Sequence, residues 1–384
     1  MNRIKKVIFL TFAYITVSAC SLKEDIPVEL TNNTLSSEMD IAVDEIYITH
    51  KDNLNTVGIS IGMLKNGETH FYGYGETKKG SGLTPTKDTF FEIGSITKTF
   101  TSILATNMLL EQGLDIEQTI KPYLPNNLPK LNRNGIELNF KHLLTHTSGL
   151  SRMPNNFNLS RDAGKEFADY DERHLYAFLE NARIHADPFT QYAYSNLGMG
   201  LVGTILKRNY DIGYSKVLQQ KLTNPLGLNN TTANFAETAI ENWAMGYNLK
   251  GKESDYWKTL NALDGAGVIK STAGDLIKYA EANINPPETM LGEAIRLTHK
   301  VYFKEYETND HTKTRNCLGW FEYINDNVPN ETFRHHNGAT GGFNSDFFIN
   351  LENQTALILL FNKNVAGVDG RQALITELLH LLSE

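Results

Sequence analysis

Phe90-Phe91-Glu92-Ile93-Gly94-Ser95-Ile96-Thr97-Lys98 is the stretch on which the fold turns. An aromatic, apolar run ends on a glycine. A serine and a lysine three residues apart follow, at the head of a helical pattern from Ile96 to Gln112. Gly113 stands where a helix C-cap favours a left-handed residue. Residues three apart on a helix share a face, so the Lys98 amine reaches the Ser95 hydroxyl. A serine hydroxyl is a weak nucleophile until a neighbouring base takes its proton. The free N–H groups and positive dipole end of a helix N-terminus suit negative charge developing there. Alone, Ser-x-x-Lys is expected about once by chance in a chain of this length, so its value depends on partners elsewhere.

Upstream, Ser37-Glu38 opens a helical pattern with Met39, Ala42, Val43 and Ile46 on one stripe. Val57, Ile59, Ile61 and Met63 alternate as a strand. Asn66-Gly67 signals a type I′ hairpin, and Glu68 to Gly75 is the return strand. Downstream, helical patterns with long polar connections run to about residue 260. The longest connection, Ser151 to Thr190, reads as a cavity wall. Leu318–Ile324, Phe333–His336, Asn344–Asn350 and Thr355–Asn362 return to β-type composition, and Ala373–Leu382 closes as a helix. Strands at both ends with helices between them imply one sheet built from distant segments, with a helical domain inserted. The division expected is residues 38–92 and 261–384 for the sheet domain and 93–260 for a mainly helical one.

Two more motifs carry chemistry. In Tyr194-Ser195-Asn196, a phenol beside a lysine ammonium loses its proton more easily and can act as a general base. The Asn196 amide can hold Lys98 and a substrate carbonyl together. His336-Asn337-Gly338-Ala339-Thr340-Gly341-Gly342-Phe343 is expected on a sheet edge, where Gly338 lets a substrate backbone approach. There the Ala339 N–H, with that of Ser95, forms a candidate oxyanion hole. Tyr323-Ile324-Asn325 and Lys65-Asn66-Gly67 match parts of these patterns as decoys.

The order of the three motifs, at 95–98, 194–196 and 336–338, resembles the class C β-lactamase and penicillin-binding-protein superfamily. His142-Leu143-Leu144-Thr145-His146-Thr147-Ser148-Gly149-Leu150 and Gly267 to Leu276 resemble connecting text of that family. The resemblance runs from about residue 40 to the C-terminus. It implies an α/β fold of the α+β type, an antiparallel sheet flanked by helices with an inserted all-helical domain. It implies Ser95 as acylated nucleophile, Lys98 and Tyr194 sharing the proton work, and Asn196, His336, Gly338 and Ala339 binding substrate. The activity implied is that of a serine hydrolase forming an acyl-enzyme on amide or ester bonds, whether of a β-lactam, a D-amino-acid peptide or a small ester. A carboxylesterase, a penicillin-binding sensor without turnover and an inactive scaffold are the alternatives. No metal or organic cofactor is implied.

Two positions depart from the family pattern. His336-Asn337 stands where its β-lactamases carry Lys-Thr, and Phe189 follows Pro188 where relatives have glycine, which is expected to narrow the cleft. An imidazole with an ordinary pKa near 6.5 costs only about 0.8 kcal/mol to charge at pH 7. His336 is therefore expected to anchor a carboxylate as imidazolium. His142 and His146 lie four apart but lack the glutamate and third ligand of a zinc motif, so both read as structural. His335 is expected to face away from His336, since strand neighbours alternate.

Composition bounds the rest. Among the 384 residues, 41% are hydrophobic and 21% charged, which excludes disordered and multi-span membrane classes. A net charge of −8, with no basic cluster beyond Arg3-Ile4-Lys5-Lys6, argues against nucleic acid as a partner. Those cations precede an uncharged run, Val7 to Ala19, too short to span a bilayer but suited to a signal peptide. It ends Val17-Ser18-Ala19-Cys20, which resembles a bacterial lipobox with Cys20 as the acylated residue. The expectation is a signal peptide at 1–19, a polar tether at 20–37 and a lipid-anchored extracytoplasmic protein. The remaining cysteine, Cys317, reads as a small buried hydrophobe.

Overall fold

Two distant stretches of chain meet in one eight-stranded sheet. In the computed structural model, residues 30–156, 167–237, 242–308, 311–364 and 369–384 are described. Residues 1–19 and Cys20, the expected signal peptide and lipidation site, lie outside them. The front of the chain supplies β1 (Gly58–Lys65) and β2 (Glu68–Gly75). The back supplies β3 (Phe303–Thr308), β4 (Thr312–Asn316), β5 (Phe321–Asn325), β6 (Phe333–Ala339), β7 (Asn344–Asn350) and β8 (Thr355–Phe361). Their order is β2-β1-β8-β7-β6-β5-β4-β3, antiparallel throughout.

The β1–β2 turn places Asn66 at φ 53° and Gly67 at φ 77°, the left-handed pair that a type I′ turn needs. The expected strands 318–324 and 333–336 shift: β5 starts at Phe321, and β6 runs on through Ala339. β3 and β4 read Phe-Lys-Glu-Tyr-Glu-Thr and Thr-Lys-Thr-Arg-Asn, too polar for the hydrophobic alternation that exposes a strand in sequence.

Helices α1 (Glu38–Leu54) and α6 (Asp369–Ser383) cover one face of the sheet. Val43, Tyr47 and Leu54 from α1 and Leu374, Leu378 and Leu379 from α6 pack with Ile59, Ile61, Met63, Leu357 and Leu359. Each such aliphatic side chain contributes about 1.5–3 kcal/mol on burial. The Ser37 side chain caps α1 by accepting the Asp40 N–H, and Asn55 ends it at φ 48°.

The expected tether meets a difference here. The Gly75 N–H donates to Leu30 O (2.8 Å), and the Asn32 N–H to Gly73 O (3.2 Å). Residues 30–33 thus lie along β2, satisfying an edge that would otherwise expose its backbone groups.

The opposite face packs on α2 (Thr97–Glu111), α3 (Asn196–Tyr210), α4 (Ala273–Ile284) and α5 (Met290–Thr298). α2 is buried along nearly its whole length. Two of its threonine hydroxyls reach backbone carbonyls: Thr99 donates to Ile96 O (2.8 Å) and Thr101 to Gly265 O (2.7 Å). The stretch between α2 and α4 is mainly helical, interrupted by two-residue ladders at 132–133 with 136–137 and 246–247 with 253–254.

Candidate active site

Ser95 sits in a single 3₁₀ turn, Gly94–Ile96, that runs directly into α2. Gly94 adopts φ 50°, and a Cβ there would stand 2.7 Å from the Ala339 nitrogen. A Cβ on Gly338 would collide with the Ile93 carbonyl, which instead accepts a 2.9 Å hydrogen bond from Ser345 Oγ. Two glycines therefore let β6 press against the turn that holds Ser95. β5 pairs with β6 only at Phe333–His335, so residues 336–339 have no β5 partner. That leaves an edge which an extended substrate can join.

Lys98 Nζ lies 2.9 Å from Ser95 Oγ and donates to the Ala266 carbonyl at 2.6 Å. The lysine is fully buried, and burial, aided by the Arg152 charge, holds its pKa well below the ordinary 10.5. A neutral amine can direct one N–H at Ala266 and leave its lone pair for the Ser95 proton. The Tyr194 ring centre is 4.9 Å from Lys98 Nζ, and its hydroxyl shares a hydrogen bond with the Ser95 side chain. Burial pushes the phenol up to about 12, against smaller opposing effects of Ser95 and Arg152. Burial of the phenol thus runs against the tyrosinate base expected from sequence. The buried lysine is the group whose proton affinity falls, and Tyr194 is a phenol near neutrality.

Asn196 opens α3, where Ser195 accepts the Gly198 N–H as the helix cap. The Asn196 amide points at the Met153 sulfur (3.4 Å) and lines the cleft beside Ser95. Two cavities meet at Ser95, Asn196 and Ala339. The larger, about 490 Å³, is polar, with Arg152, Tyr192, Tyr194 and Asn337 on its walls. The smaller, about 70 Å³, is walled by Met153, Phe167, Trp257, Leu260 and Leu263.

His336 departs from its expected role. It is 1% exposed, its Nδ1 lies 2.6 Å from Asn337 O, and its Nε2 is buried without a partner among the described residues. Burial drives its pKa well below 6.5, which favours the neutral imidazole over an imidazolium that could meet a carboxylate. Strand alternation puts Asn337 toward the cleft instead. His335 turns to the other face and stacks on Phe348 at 4.1 Å. Phe189 does not line either cavity at Ser95; it packs edge-on against Phe303 at 5.5 Å, under the Lys141 amine. Tyr323 is buried in the core beside α6, and Lys65 lies at the β1–β2 turn.

Two neighbours of the site were not legible as such. His146, read as structural, is buried at φ 57° with its ring 4.4 Å from Tyr194. Its Nδ1 accepts the Ser195 N–H (3.2 Å), and burial, with the Arg152 charge nearby, lowers its pKa to about 3. Arg152 places its guanidinium 4.8 Å from the Tyr194 ring centre. Arg152 sits in no spacing that marks it, and the four-residue spacing of His146 from His142 carries no sign of its contact with Tyr194. His142, by contrast, is structural, completing a capping box with Asn139.

The Beta-lactamase family model matches residues 43–381. The chain belongs to the beta-lactamase family. A beta-lactamase from Pseudomonas fluorescens is 28% identical over 81% of this chain and 90% of its own length. Another, from Escherichia coli K12, is 26% identical over 80% and 84%. The D-alanyl-D-alanine-carboxypeptidase/endopeptidase AmpH of E. coli K12 is 26% identical over 58% of this chain and 56% of its own. Among solved structures, a beta-lactamase/D-alanine carboxypeptidase from Pseudomonas syringae aligns with a TM-score of 0.72, at 24% identity over 88% and 99%. One from Yersinia pestis, complexed with citrate, aligns at 0.76, with 21% identity over 91% and 100%. This beta-lactamase-family chain is a serine hydrolase with the antiparallel sheet and flanking helices of that fold. No described helix is long and apolar enough to cross a membrane.

Proposed function

We propose that this chain hydrolyses a small amide or ester through an acyl-enzyme on Ser95. The observation that carries the reading is the shared contact at Ser95 Oγ, with Lys98 Nζ at 2.9 Å and the Tyr194 hydroxyl on the same oxygen. Lys98, neutral because it is buried, takes the serine proton as Oγ attacks the substrate carbonyl. The N–H groups of Ser95 and Ala339 stabilise the oxyanion. Tyr194, still a phenol, relays the proton to the leaving group and recovers it from Lys98. Water then attacks the acyl-enzyme, with the amine again as base. Asn196 orients the substrate, while Gly338 and Ala339 pair with its backbone.

Relatives named as beta-lactamases and as a D-alanyl-D-alanine carboxypeptidase favour β-lactams and D-amino-acid peptides as substrates, with small esters beside them. The N-terminal sequence adds a location: a signal peptide ending at Ala19, acylation of Cys20, and a catalytic domain tethered outside the cytoplasm. Cys20→Ala is expected to move the protein from the membrane fraction to the soluble one.

The test of the activity compares wild type with Ser95→Ala on a chromogenic cephalosporin, an acylated D-Ala-D-Ala peptide and a p-nitrophenyl ester. Hydrolysis of at least one substrate, lost in Ser95→Ala while the fold is kept, is expected. Hydrolysis that survives the substitution overturns the reading.

A further inference from the structure

The basic side chains around the Ser95 cleft differ in burial and in partners. Lys98 and His336 are buried and have no carboxylate partner among the described residues. Arg371 donates through Nε to Asp346 Oδ2 (2.7 Å) and through Nη2 to Oδ1 (2.5 Å), so its charge is matched. Arg152 differs from all three. It is exposed, lines the larger cavity, and pairs with no carboxylate among the described residues.

Its backbone is fixed although its head is open. The Arg152 carbonyl accepts the N–H groups of Asn196 (2.9 Å) and Leu197 (3.3 Å), and the Ser151 carbonyl accepts Ser195 Oγ (2.8 Å). The stem is thus tied to the turn that carries Tyr194 and Asn196. The guanidinium carbon lies over the Tyr194 ring, a cation–π contact, and among the described residues its N–H donors meet no acceptor. Their planar fork matches a carboxylate bidentately, which a lysine ammonium or an imidazole does not.

We propose that Arg152 is the carboxylate-binding residue of this cleft and makes the enzyme selective for anionic acyl donors. The selectivity rests on the reading of Ser95 as nucleophile; the binding does not. His336, buried behind Tyr194, leaves this task to a side chain from the opposite wall. A charged hydrogen bond of this kind contributes about 1.5–3 kcal/mol, or roughly ten- to hundredfold.

The experiment has two arms. In the first, p-nitrophenyl hemiglutarate and p-nitrophenyl butyrate are compared on wild type, Arg152→Gln and Arg152→Lys. The ratio of kcat/KM, anionic over neutral, should fall about ten- to hundredfold in Arg152→Gln and recover in part in Arg152→Lys. An unchanged ratio overturns the proposal, since a guanidinium acting only through Tyr194 would affect both esters alike. In the second, N-acetyl-D-Ala-D-Ala and its C-terminal amide are titrated calorimetrically into Ser95→Ala, with and without Arg152→Gln. The acid should bind more tightly than the amide only where Arg152 is present. Equal binding of acid and amide to Ser95→Ala overturns the proposal whatever the enzyme hydrolyses. Acid-selective binding by a chain that hydrolyses neither ester would place the failure in the Ser95 reading instead.

Discussion

Gly94 and Ala339 touch backbone to backbone: a Cβ built on Gly94 stands 2.7 Å from the Ala339 nitrogen. Residues 245 positions apart thereby set the spacing between the Ser95 turn and the edge of β6. A methyl group at position 94 would push β6 away and strain a backbone already at φ 50°. Gly94→Ala should lower kcat by on the order of 10²–10³, the effect of losing one oxyanion donor. Far-ultraviolet circular dichroism should stay native. A variant with wild-type kcat would show that the two amides do not act together.

The pH profile separates the two proposed proton carriers. Lys98 is active as the neutral amine, so kcat/KM for a neutral ester should rise with pH as that amine deprotonates. Because burial lowers its pKa, the rising limb should lie well below 10.5. Tyr194, pushed up to about 12, should give no limb near neutrality. Lys98→Ala should remove the limb with most of the rate. A limb that survives in Lys98→Ala and disappears in Tyr194→Phe would assign the base to the phenol.

Buried neutral histidines should make the fold acid-sensitive. His146 and His299 titrate near 3 when folded, chiefly because they are buried, and near 6.5 when unfolded. Between those values the unfolded chain binds protons that the native state refuses, so stability falls as pH drops below 6.5. From pH 7 to 5.5 the two together should cost about 2–3 kcal/mol. The urea midpoint should fall accordingly; a midpoint that holds or rises contradicts this.

Cys317 is 1% exposed, its sulfur lies 3.4 Å from His299 O, and burial pushes its thiol up to about 12. It should not react with a disulfide reagent in the native protein, yet react within seconds in urea. Rapid native labelling would contradict the packing around it.

Elements whose signal is local were legible in the sequence. The Asn66-Gly67 turn, α1 with its Ser37 cap and α2 ending before Gly113 each depend on neighbours along the chain. β3, at the sheet edge, and β4 beside it were missed because their polar sequences carry no hydrophobic alternation. At the site, the approach of Ser95 to Lys98 followed from helix periodicity. The charge states did not. That His336 is buried and neutral, and that Tyr194 gains rather than loses proton affinity, depend on packing by residues as remote as Phe321 and His146. Arg152 escaped for the same reason: a lone arginine acquires meaning only once Tyr194 lies beneath it.

Covalent chemistry at the Ser95 hydroxyl leaves a mass that quenched-flow mass spectrometry can read. The purified domain is mixed with benzylpenicillin, quenched in acid at intervals from milliseconds to minutes, and digested. A mass increase of one penicilloyl group, confined to the peptide containing Ser95, is expected, and it should decay as product appears. An adduct on any other residue, or penicillin turnover with Ser95 unmodified throughout, would contradict it.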